Sequence, residues 1–99
     1  MYLDPFRKQI IQLCQKHKVK YLFAFGSVLT NKFTDESDVD LIVDLELKDP
    51  LKYGENYFDL KFQLEYLLKR KIDLLEERGL KNQFLRENID KTKQLIYGA

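Results

Sequence analysis

Apolar residues recur along the chain with a spacing that changes from segment to segment, and each change marks an element. In residues 4–17, Phe6, Ile10, Leu13 and Cys14 fall at helical spacing and form one stripe. Asp4 is the expected N-cap, and Pro5 takes the first helical position, where its missing N–H is harmless. Residues 21–25 are continuously apolar and aromatic until Gly26 stops them, which predicts a short buried strand. A brief helix is expected over 28–32, then a polar turn at Thr34-Asp35-Glu36-Ser37. Residues 38–45 are the clearest strand. Alternation sends Val39, Leu41, Val43 and Leu45 one way, and Asp38, Asp40, Ile42 and Asp44 the other.

After a loop containing Pro50, the period returns to helical over 56–70. Tyr57, Leu60, Leu64, Leu67 and Leu68 share one side, and Phe58, Phe62 and Tyr66 add a second stripe. Residues 71–75 read as a third strand and Gly79 as a turn. A last helix is expected over 81–93, with Leu85, Ile89 and Ile96 on one face, so that it runs on towards Tyr97. This order, α-β-α-β-α-β-α, predicts an α/β (α+β) domain.

Composition narrows the picture. Ninety-nine residues suit one compact domain spanning 1–99, and an apolar fraction of 44% can fill its core. With 17 basic against 16 acidic residues, the charge lacks the excess expected of a non-specific nucleic-acid binder, so no direct nucleic-acid contact is expected. No apolar run approaches the ~20 residues of a membrane span, and the N-terminus does not resemble a signal peptide. The lone cysteine, Cys14, is expected in the core, and a reducing, cytoplasmic setting is the simpler expectation. His17, the only histidine, is expected to make a favourable contact with the end of the first helix.

The candidate chemistry lies on the strand at 38–45. Asp38 and Asp40 project from one face about 6–7 Å apart at the backbone, close enough to share one or two small cations. Unpaired, two close carboxylates repel, whereas Mg²⁺ suits hard oxygen donors. Asp44 lies roughly 13 Å beyond Asp40, too far to join them. Asp-x-Asp also occurs on solvated strand faces. Here the strand is otherwise apolar, which predicts a central position. Upstream, Gly26 permits close backbone approach, Ser27 adds a hydroxyl, and a helix starting there would direct its amides at polyphosphate. Asp73, between Ile72 and Leu74, is a third candidate acid, as metal ligand or as proton acceptor. A salt bridge to Lys71 or Arg70 is its plainer role.

Gly26-Ser27, ten residues, then Asp38-Val39-Asp40-Leu41-Ile42-Val43 resembles the signature of polymerase-beta-like nucleotidyltransferases, above all the minimal nucleotidyltransferases. The stretch 64–74 is similar to the family's approach to its third acidic strand, and 85–89 to its closing helix. The resemblance implies a small mixed sheet flanked by helices, with Gly26 and Ser27 at the triphosphate of ATP. It implies Asp38 and Asp40 on two Mg²⁺ ions, and Asp73 as third ligand or general base. It further implies an antitoxin that transfers AMP to a tyrosine of a HEPN-domain ribonuclease toxin. The alternatives are neutralisation of that partner by binding alone, or transfer to a small molecule or RNA end. Two departures stand out. After Gly-Ser the family often carries arginine, but residues 28–32 offer only Lys32, and Lys69 stands where many relatives have glycine. So small a chain leaves the acceptor to supply much of the binding surface. Phe58/Phe62/Tyr66 and the segment around Tyr97 are possible docking surfaces, with core burial the simpler expectation for each.

Overall fold

A computed structural model describes residues 1–98. Strands β1 (Val19–Phe25), β2 (Val39–Leu45), β3 (Ile72–Glu76) and β4 (Gln94–Gly98) form one sheet in the order β3-β2-β1-β4. β1 runs antiparallel to both β2 and β4, while β2 and β3 are parallel. The sheet is therefore mixed, and β2 is central as its apolar run predicts. The helices are α1 (Arg7–Lys16), α2 (Pro50–Leu68) and α3 (Gln83–Thr92).

One face of the sheet holds the main core. In register across three strands stand Leu22 beside Val43, Ala24 beside Leu41, Leu41 beside Leu74, and Val39 beside Ile72. All are buried, and Ile10 and Cys14 of α1 join them with Leu60, Leu64 and Leu68 of α2. Burial pushes the Cys14 thiol up to about 12, so it behaves as a small apolar side chain. His17 is buried too: Nδ1 donates to the Leu13 carbonyl at 2.7 Å, and Nε2 is hydrogen-bonded to Asp59 of α2 at 2.5 Å. The contact with the helix end is present, and the second bond ties α1 to α2.

Several boundaries differ from the expected ones. The start of the first helix is a 3-10 turn, Asp4–Phe6, and Asp4 is not its cap: its carboxylate takes the N-terminal ammonium at 2.8 Å and Arg7 at 3.3 Å. Pro50 begins α2 instead of lying in a loop, because Asp49 caps it by accepting from the Leu51 amide. The last helix ends at Thr92, and residues 94–98 form β4. Ile96 follows Ile89 by seven residues, a spacing that fits two helical turns. It is the free edge of β1 that decides for a strand. Lys69 takes the left-handed conformation (φ 53°) that a glycine adopts freely, so replacing the usual glycine changes only the closing turn of α2. Phe58, Phe62 and Tyr66 are exposed at 58%, 66% and 84%, not buried. The opposite side of α2 already fills the core, so nothing within the described residues covers them. Tyr97, by contrast, packs partly against the core from β4.

Candidate active site

The other face of the sheet carries the acids. Asp40 is in register with Phe25 on β1 and with Asp73 on β3, so Asp40 and Asp73 stand side by side on neighbouring parallel strands. Asp38 lies two residues before Asp40, just outside β2, near enough for its charge to act on Asp40. A pair of acids two residues apart and a third, 33 residues further along the chain, thus share one end of one face.

Gly26 follows Phe25 directly and adopts φ +76°. A side chain there would be strained, and its Cβ would come within 3.3 Å of Asp40 Cγ and collide with Oδ2. The Gly-Ser bend therefore packs on the Asp40 carboxylate, which fits a cradle that only glycine leaves open. Residues Gly26–Leu29 form a single 3-10 turn instead of the helix expected over 28–32. The Thr30 amide and hydroxyl both donate to the Ser27 carbonyl at 2.9 Å. The first amides of such a turn have no partner inside it and remain available to an anion.

Electrostatics single out Asp40. Partial burial, then the negative charges of Asp73 and Asp38, push its carboxyl above the ordinary 3.8. Such a group gains from a cation, and carboxylate oxygens are the donors Mg²⁺ prefers. In kind, the donors fit that ion. Among the described residues, however, no group of three or more acids, histidines or cysteines stands close enough together to hold a metal ion. Asp38 and Asp73 are exposed, free to turn towards a shared ion. Asp73 is exposed because β3 is an edge strand, so the fold tolerates an unpaired acid there. Asp73 pairs with neither Lys71 nor Arg70 in a salt bridge among the described residues. Arg70 turns the other way.

That turn matters to the site. The Arg70 guanidinium donates at 2.7 Å to the carbonyls of both Thr34 and Ser37, fastening the loop that leads into Asp38. It lies between the Tyr2 and Phe33 rings, 4.5 and 4.4 Å from their centroids. Nothing in the charge run 69–71 marks this residue; its partners are 33 to 36 positions away. Asp44, expected to stand apart, does so: it is 9% exposed and accepts from Arg78 Nε at 2.9 Å. Arg78 also holds the Leu45 and Leu47 carbonyls, which makes Asp44 part of the frame. On the same face, α3 is tied back by Arg86, which pairs with Glu77 and donates to the Leu80 carbonyl at 2.8 Å. The acids themselves lie in the open; a hollow of about 440 Å³ is found elsewhere, between α1 and α2.

The profile of the polymerase beta nucleotidyltransferase family matches residues 8–99, nearly the whole chain. The chain belongs to that family. Among its minimal members, this nucleotidyltransferase is 37% identical over 95 residues to a Methanocaldococcus jannaschii protein provisionally named a protein adenylyltransferase, covering 95% of this chain and 91% of that one. A solved structure provisionally named a minimal nucleotidyltransferase aligns with TM-score 0.77 and 33% identity, over 93% and 90% of the two chains. Two solved toxin–antitoxin assemblies share the fold at lower identity. One, with AMP-PNP, has TM-score 0.73 and 21% identity over 94% of this chain and 73% of that chain. The other is a tri-AMPylated Shewanella oneidensis HEPN toxin with its MNT antitoxin, with TM-score 0.68 and 20% identity over 100% and 74%. No helix among the described residues of the nucleotidyltransferase is long and apolar enough to cross a membrane.

Proposed function

We propose that this nucleotidyltransferase is an antitoxin that transfers AMP from ATP to a tyrosine hydroxyl of a cognate HEPN-domain toxin. The observation that carries the reading is the register of Asp40 beside Asp73, with the Gly26 bend against Asp40. It is supported by the provisional adenylyltransferase name of the Methanocaldococcus relative and by the AMPylated toxin in the Shewanella assembly.

In this reading Asp38 and Asp40 hold Mg²⁺, with Asp73 as a third ligand or as the base. Amides of the Gly26-Ser27 bend receive the triphosphate, and Arg70 keeps the loop before Asp38 in place. The tyrosine oxygen attacks the α-phosphorus, forming the new O–P bond. The bond from that phosphorus to the β-phosphate oxygen breaks, pyrophosphate departs, and the hydroxyl proton passes to a carboxylate, for which Asp73 is placed. Bound Mg²⁺ supplies charge neutralisation at the triphosphate and at the departing pyrophosphate.

The test incubates the chain with labelled ATP, Mg²⁺ and the product of the neighbouring gene. Label should appear on a partner tyrosine with the native chain and vanish with Asp38→Ala/Asp40→Ala. A double variant that neutralises the toxin as well as the native chain would replace catalysis with binding alone. Label on an RNA end or small molecule, with none on protein, would reassign the acceptor.

A further inference from the structure

Helix α2 is apolar on two opposite sides, and only one of them is used by the fold. Tyr53, Leu60, Leu64 and Leu68 are buried, whereas Leu51, Phe58, Phe62 and Tyr66 are exposed, Leu51 at 78%. At 3.6 residues per turn these four fall within a narrow stripe along the outer side of the helix, together with Glu55. Exposed Glu55 precedes the aromatic trio near one end, and exposed Lys69 follows it at the other.

We infer that this stripe is the interface between two copies of the chain, packed as an antiparallel helix pair about a two-fold axis at Phe62. The pattern is self-complementary about that residue. Phe62 meets its own counterpart, Phe58 meets the second copy's Tyr66, and Glu55 meets the second copy's Lys69, at both ends at once. A two-fold contact requires this reciprocity. The three aromatic side chains that meet across the axis expose roughly 400 Å² per copy, within the range of the largest patch on a typical monomer. With the flanking charged side chains, the contact lies at the small end of specific interfaces, below ~1,200 Å² in total. The occupant is a second copy and not the acceptor protein because the stripe and the acids are on opposite sides. α2 packs on the core face of the sheet, while Asp40 and Asp73 stand on the other. A protein offering its hydroxyl to the acids leaves the stripe free.

Sedimentation of the purified chain up to ~100 µM is the test. The expected species has twice the 11.9 kDa of one chain. Phe62→Glu should weaken association at least about 100-fold. Phe62 is solvent-exposed, so the variant should keep the native far-ultraviolet circular dichroism; Phe58→Lys serves as the second variant should it not. Glu55→Lys and Lys69→Glu should each weaken association about 5-fold, and the two together restore it to within about 2-fold. A native chain that stays at 11.9 kDa overturns the inference. So does a folded Phe62→Glu variant that dimerises as well as the native chain, or a double reversal no better than the single ones.

Discussion

Asp40 and Asp44 stand on the same strand and the same face, four residues apart, yet their surroundings are opposite. Asp44 is nearly buried and answered by Arg78, whose other nitrogens hold two carbonyls of the same strand end. Asp40 has the like charges of Asp73 and Asp38 and a bare glycine beside it, and burial and those charges push its carboxyl upward. One acid is complete as the chain folds, and the other is left wanting a cation. A paired acid holds a frame together, whereas an acid kept among like charges is a strain that only a function justifies.

Neutralising each acid separates them most sharply. Asp40→Asn should lower AMP transfer at least about 10³-fold while the protein stays folded. Asp44→Asn should leave transfer per folded molecule unchanged, and a fall as large as that for Asp40 would erase the distinction. Gly26→Ala should cost about 10²-fold in transfer, through displacement of the Asp40 carboxylate, and about 1–2 kcal/mol of stability from the positive φ. Thermal melts and initial rates read the two separately. Asp44→Asn should destabilise by about 1–2 kcal/mol, a drop of roughly 5–15 °C in Tm, because Arg78 loses its charged partner.

The smallest effect has the opposite sign. A carboxyl raised in the folded state stabilises the fold fully only below its unfolded pKa, and that contribution is lost as pH rises through the folded value. Asp40→Asn should therefore raise Tm slightly at pH 7, and the advantage should fade as pH falls towards the ordinary carboxyl range. Millimolar Mg²⁺ should raise the Tm of the native chain and not that of Asp38→Asn/Asp40→Asn. An Asp40→Asn variant less stable than the native chain at neutral pH would show that Asp40 has a hidden partner.

Three of the four strands and the two long helices were legible in the sequence, because apolar runs, alternation and helical period are local signals. So was the proximity of Asp38 to Asp40, which stand two residues apart. What no local pattern reveals is pairing across distance. The register that sets Asp73 beside Asp40, the reach of Arg70 to Thr34, and the bond from His17 to Asp59 all depend on which elements meet. β4 was missed for the same reason. Its five residues fit two periods, and only an open edge on β1 chooses between them. The exposed stripe on α2 inverted expectation because an apolar period predicts burial without saying by what.

The parallel pairing of β2 with β3 makes α2 an obligatory bridge, since Asp73 meets Asp40 only after the chain has travelled across the opposite face and returned. A nascent chain ending within that bridge already holds Asp38, Asp40 and the Gly-Ser bend but lacks their third companion. The cluster is therefore complete only once β3 has been made and has paired with β2, and a protease cut within residues 50–68 would remove the covalent link between Asp73 and the other two acids without touching any of the three.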